Sequence, residues 1–171
     1  MKDVLETKAV EIMTACKDMA IATLREDGFP QATTVSFVHD GLEIFFGVGA
    51  TSQKARNMRR DNRVSITMTP PYEDWSGIRG LSLAGHAAEM TAPGEISEIA
   101  RLMIQRFPQV SGMELAERGE AVFFRVIPTV MSVLDYSKGF GHTDMVRLDD
   151  SDIAENLESM QHKWLIPTGG G

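Results

Sequence analysis

The segment Gly47-Val48-Gly49-Ala50-Thr51-Ser52-Gln53-Lys54 places two hydroxyls and a lysine where an apolar alternating run gives way to a polar, helix-forming stretch. A helix opening at this point presents unpaired backbone N–H groups and a partial positive charge, which suits a phosphate. Ser52 adds a hydroxyl and Lys54 a full charge. A plain capped helix uses the same residues, so the pattern alone leaves both readings open. Two nucleotide motifs are excluded. No Gly-Lys-Ser/Thr ending of a Walker loop occurs, and in the Gly47-x-Gly49-x-x-Ser52 run a serine replaces the third glycine of a dinucleotide fingerprint.

The same region holds Lys54, Arg56, Arg59, Arg60 and Arg63 with Asp61 as the single acid. That window carries +4 in a chain of net charge −7, so the remainder carries −11. A cationic patch on an acidic protein suits a small anionic ligand better than nucleic acid, while a solvated basic helix face remains the plain alternative. A second polar and aromatic set, Tyr136, Lys138, Phe140 and His142, alternates across Gly139 and Gly141. It reads either as a lid over a ligand or as a surface connector. His39, His86, His142 and His162 include no pair at helical metal spacing, so no metal site is expected. Cys16 lies on an apolar stripe and reads as a buried small hydrophobe.

These groups need elements to position them. Leu5, Ala9, Ile12, Met13 and Cys16 recur at helical spacing over residues 1–17, with Asp3 and Glu6 at capping-box spacing. From residue 19 the period becomes two. Strands are expected at 19–25, 30–39 and 42–47, joined by the turns Glu26-Asp27-Gly28 and Asp40-Gly41. A break at 47–50 precedes a helix at 51–60 capped by Thr51 or Ser52. Further strands are expected at 64–69, at 78–90 with a bend at Gly80 or Gly85, and at 121–134. A helix begins near Pro93, with Ile96, Ile99, Ala100, Met103 and Phe107 as its buried stripe. Trp75 falls in a loop at 72–77, and 152–164 reads as a last amphipathic helix.

Six strands with tight turns and few helical insertions predict a mainly β fold, a six-stranded antiparallel barrel with flanking helices. The 171 residues, 43% hydrophobic and 24% charged, suit a single ordered domain: an N-terminal helix (1–17), a barrel (19–134), and a C-terminal loop and helix (135–171). No apolar run approaches a membrane span, acids stand where a signal peptide is apolar, and the lone cysteine excludes an internal disulfide. A cytoplasmic protein that binds neither membrane nor nucleic acid is expected.

Residues 19–90, and on to 134, resemble the pyridoxamine 5'-phosphate oxidase-like FMN-binding split barrels. The shared pattern is an acidic-Gly turn, a Pro-initiated strand, Ser52-Gln53-Lys54, a short basic helix, Asp61-Asn62-Arg63-Val64 and Leu83-Ala84-Gly85. The resemblance implies a homodimer holding FMN in a groove between subunits. It implies that Thr33, Thr34, Val35 and Ser36 approach the flavin or its phosphate, that Thr51, Ser52 and Lys54 hold the phosphate, and that Arg79 assists from the fifth strand. Tyr136, Phe140 and His142 would cover the ring or contact a small-molecule substrate.

Two departures stand out. The true oxidases carry an arginine and then a lysine on strand two, where this chain has Thr33 and Val38, and their Arg/His/Asp-rich C-terminal signature is missing. Vitamin B6 oxidation is therefore not expected. The leading expectation is an FMN-dependent oxidoreductase. The alternatives are a flavin- or ligand-binding protein without turnover and a deazaflavin-coenzyme reductase on the same barrel; some split barrels bind haem.

Overall fold

The computed structural model describes residues 2–112 and 120–148. α1 (Lys2–Ala15) buries Leu5, Ala9, Ile12 and Met13, the stripe read from the sequence. Cys16 is buried just beyond it, and that burial pushes its thiol pKa up. Asp3 falls inside the first turn and is not the cap that its spacing suggested.

β1 (Asp18–Leu24) and β2 (Pro30–Ser36) form one antiparallel hairpin, and β3 (Val38–Asp40) and β4 (Glu43–Gly49) form a second; β2 and β3 end up at opposite edges of the sheet. Then come α2 (Gln53–Arg60), β5 (Arg63–Met68), β6 (Arg79–Glu89), α3 (Pro93–Arg106), β7 (Ala121–Asp135) and β8 (Thr143–Arg147). The sheet order is β2-β1-β5-β6-β7-β4-β3, with β8 also on β7 and every pairing antiparallel.

β7 closes the curl. One of its edges pairs with β6; the other is shared by β4 along 121–126 and β8 along 130–134. At 15 residues the strand is long enough to pair with β4 and β8 on successive stretches of one edge, and most of Phe124–Asp135 is buried, with Ile127 exposed.

The sheet has eight strands where six were expected, for two local reasons. The run 30–39 is divided because Phe37 and Val38 are consecutive and both buried, which breaks the two-residue alternation. Phe37 packs into the core under α1, whereas Val38 joins a second cluster with Phe45, Ile99, Met103 and Phe107 under α3. The segment 135–144 is in turn a hairpin loop. A 3-10 turn at Tyr136–Lys138 and Gly139 and Gly141 at positive φ lead directly into β8.

The bend in β6 falls at Gly85, where the register with β7 shifts. A Cβ there would stand 2.5 Å from the Ile127 carbonyl oxygen, so only glycine allows the approach. Arg106 of α3 donates to the carbonyls of Met13, Thr14 and Cys16 at the C-terminal end of α1 and joins the two clusters. The expected helix at 152–164, with His162, lies outside the described residues.

Candidate functional site: the α2 N-terminus and the far end of β7

β4 runs through Gly49, so Gly47 does not break the strand as expected; the ring of Phe123 lies 3.2 Å from where its Cβ would stand. Pairing ends where the Ala50 amide donates to the Glu120 carbonyl at 2.7 Å. Ser52 then caps α2: its backbone is extended and its Oγ accepts from the Ala55 amide at 3.3 Å. The amides of Gln53 and Lys54 find no backbone acceptor among the described residues, and Thr51 is exposed beside them.

The basic window divides sharply. Arg56 donates to the Thr51 carbonyl and to Gln53 Oε1. Arg59 grips Glu89 through two nitrogens and also reaches the Ala50 carbonyl. Arg60 donates to the Leu24 carbonyl. Arg63 pairs with Asp61 at 2.6 Å and holds that carboxyl at about 2. Lys54, half-buried, has neither hydrogen bond nor ion pair among the described residues. It is the one cation of the five with no partner among the described residues.

α2 is locked to the sheet by Asn57, 1% exposed, whose Nδ2 donates to Thr23 Oγ1 at 3.0 Å and Gln31 Oε1 at 3.2 Å. Gln31 and Thr33 are two apart on β2, on the face that also carries Val35, so Thr33 lies on the α2 side of this edge strand. Val35 is buried in the core and can offer a ligand only its backbone. Thr34 and Ser36 point to the opposite face, where the Ser36 hydroxyl donates to Asp18 at 2.6 Å. The structure thus puts Thr33 on the same face as Gln31, which meets α2 through Asn57, and puts Thr34 and Ser36 on the opposite face.

Arg79 is not brought there. Glu89, held by Arg59, marks the α2 end of β6, and Arg79 begins that strand ten residues earlier, about 33 Å of extended chain away. Arg79 instead faces Asp135 in the β6–β7 register. Asp135 is buried, accepts from Lys8 Nζ at 3.0 Å and from the Ser137 hydroxyl at 2.5 Å, and is held at about 2 by these donors. Around this corner lies a cavity of about 420 Å³ between α1 and the ends of β6 and β7, with Lys8, Glu11, Arg79 and Asp135 in its walls.

Tyr136, Phe140 and His142 share this corner. Phe140 stacks on Trp75 at 5.4 Å and meets Tyr136 at 5.2 Å, while Trp75 and Phe140 stay largely exposed. His142 Nε2 lies 3.1 Å from Asp144 Oδ2, which Lys138 also reaches at 2.7 Å. Lys138 and His142 hold the Asp144 carboxyl below its ordinary value. Sequence reasoning missed Lys8 and Glu11. Their i, i+3 spacing on an amphipathic helix resembles any solvated face, and the Asp135 partner is 127 residues away.

A curled antiparallel sheet fed by a capped helix at one edge defines a split β-barrel with an anion-ready helix end. The chain belongs to the pyridoxamine 5'-phosphate oxidase family, whose model matches residues 5–134. A heme binding protein from Mycobacterium smegmatis superposes with a TM-score of 0.72 at 19% identity, over 83% of this chain and 57% of that one. This chain therefore spans under two thirds of that protein's length. A conserved hypothetical protein from Mycobacterium tuberculosis gives 0.69 at 25% identity, over 85% and 92% of the two chains. HutZ, the heme storage protein from Vibrio cholerae, gives 0.62 at 22%, over 72% and 89%. No curated protein matches the chain in sequence. Among the described residues no three His, Cys, Asp or Glu side chains gather as a metal site. No described helix is long and apolar enough to cross a membrane.

Proposed function

We propose that this chain binds FMN at the α2 N-terminus and acts, as a homodimer, as an FMN-dependent oxidoreductase on a small molecule. The observation that carries the reading is Lys54. Among the described residues it is left without a partner while its four basic neighbours are engaged, and it stands in the helix turn whose Gln53 and Lys54 amides have no backbone acceptor. This donor set fits a phosphate monoester. The amides and the Thr51 and Ser52 hydroxyls would donate and Lys54 Nζ would supply the charge, with Thr33 on the β2 face that Gln31 shares. Bound flavin supplies hydride and one-electron chemistry. Val38, an apolar side chain buried in the α3 cluster, supplies no second cation at that position, so more of the charge falls to Lys54. A deazaflavin coenzyme, with its longer anionic tail, is less well served, because Arg56, Arg59 and Arg60 are tied to Gln53, Glu89 and Leu24.

The homodimer is supported by the outer face of the sheet. One cross-strand row runs Thr34, Ala20, Thr67, Ser82 and Ser132, and the next runs Ala32, Ala22, Ser65 and Ala84 before it ends at the buried Val130. Rows of small side chains across β2, β1, β5 and β6 allow a second sheet to approach closely.

The test is FMN and riboflavin titration of the parent and of Lys54→Ala. The variant should lose about 1.5 to 3 kcal/mol for FMN, the scale of a charge-assisted hydrogen bond, and almost nothing for riboflavin. Equal losses for both ligands would remove Lys54 from the phosphate site. A parent that ignores FMN but takes up haem with a Soret band would overturn the flavin reading. Flavin that binds yet is not reduced anaerobically by NADH or NADPH would point to binding without turnover by these donors.

A further inference from the structure

The cavity at the far end of β7 is separate from the α2 site and does not depend on the flavin reading. Lys8, Glu11, Ile12 and Ala15 line it from one face of α1, at the i, i+3, i+4 and i+7 spacing that puts side chains in one stripe. Arg79, Val133 and Leu134 line it from the strands, and Pro70 and Pro71 from the loop after β5. At about 420 Å³ it lies within the usual size of a small-molecule site.

Its charges are unequal in their commitments. Lys8 is neutralised by Asp135, which Ser137 also satisfies. Arg79 and Glu11 have neither hydrogen bond nor ion pair among the described residues, although both line the same space. A purely anionic ligand would satisfy Arg79 and be repelled by Glu11. A purely cationic one would do the reverse. A ligand carrying both signs completes both, with a guanidinium clamping a carboxylate and a carboxylate receiving an ammonium. The buried Ile12 and Val133 side chains, with Leu134 and the prolines, give the remainder an apolar wall.

We infer that this cavity is a binding site for a free α-amino acid with a large apolar side chain, its carboxylate on Arg79 and its ammonium on Glu11.

Calorimetric titration of the full chain, with and without FMN, tests this with L-phenylalanine and L-leucine, and with two truncated probes. 3-Phenylpropionate lacks the ammonium and phenethylamine lacks the carboxylate. The amino acids should bind saturably, and each truncated probe should bind about tenfold or more weakly, because it leaves one charge unmet. Arg79→Gln should weaken L-phenylalanine and 3-phenylpropionate by about tenfold while sparing phenethylamine, and Glu11→Gln should show the mirror pattern. Both side chains are exposed, so an unchanged melting temperature checks that the variants remain folded. No saturable binding of either amino acid overturns the inference. So does parent-like affinity for all probes in both variants, which would place the ligand elsewhere or mean that Arg79 and Glu11 answer each other.

Discussion

At the scale of single residues, commitment matters more than charge. Five cations crowd the α2 window, but the four arginines are engaged by carbonyls, a glutamine and carboxylates, so the window's +4 overstates what a ligand meets. Asp135 is the opposite case: a carboxylate held so firmly by Ser137 and Lys8 that it stays ionised in the core. Its pKa is depressed from 3.8 to about 2. Its contribution is therefore fully present above the unfolded value of 3.8 and is lost as the pH falls through about 2. Asp135→Asn should cost on the order of 1 to 2 kcal/mol at neutral pH, and parent and variant should converge near pH 2. Urea unfolding from pH 7 down to pH 2 measures this; a gap that is constant across the range would mean that the ionised state of Asp135 does not matter.

At the scale of elements, the bends and breaks decide where the chemistry goes. Gly85 lets β6 cross the Ile127 carbonyl at the bulge, and a methyl group there has backbone, not a flexible side chain, as its neighbour. Gly85→Ala should destabilise by about 2 kcal/mol or more, since the strand must shift to relieve the overlap. Gly80→Ala is the control: its nearest neighbours are side-chain atoms at 3.4 Å and beyond, so its cost should be clearly smaller. Similar losses in thermal unfolding would remove the special role of Gly85. The break between β2 and β3 has the same kind of cause, because consecutive buried residues send the chain from one hydrophobic cluster to the other.

At the scale of the molecule, the curl leaves rows of small residues outward across β2, β1, β5 and β6, and the proposed homodimer rests on them. Thr67 sits at the middle of the first row and is exposed in the single chain. Thr67→Arg should leave the fold intact, because its side chain faces away from the core, but should place two guanidinium groups at a two-fold contact. Sedimentation should show the parent at twice its 18.9 kDa chain mass and the variant shifted toward the monomer. An unshifted variant dimer would move the interface to another face.

The sequence determined what depends on short-range spacing. The helical stripe of α1, the alternation in β1, β5 and β6, the Ser52 cap and the glycine turns follow from residues within a few positions of one another. The tight turns at Gly28 and Gly41 likewise fix the β1–β2 and β3–β4 hairpins, whereas the β1–β5 and β4–β7 neighbours arise only when the sheet curls closed. Only the tertiary structure could decide what depends on pairing across the chain. The separation of Arg79 from Lys54 follows from their places along β6 and α2, and the meeting of Lys8 with Asp135 spans 127 residues. The stacking of Trp75 on Phe140 and the release of Lys54 while its neighbours are engaged are also products of the fold. Side-chain type sets what a residue can bind, but only packing sets which of its possible partners is already within reach.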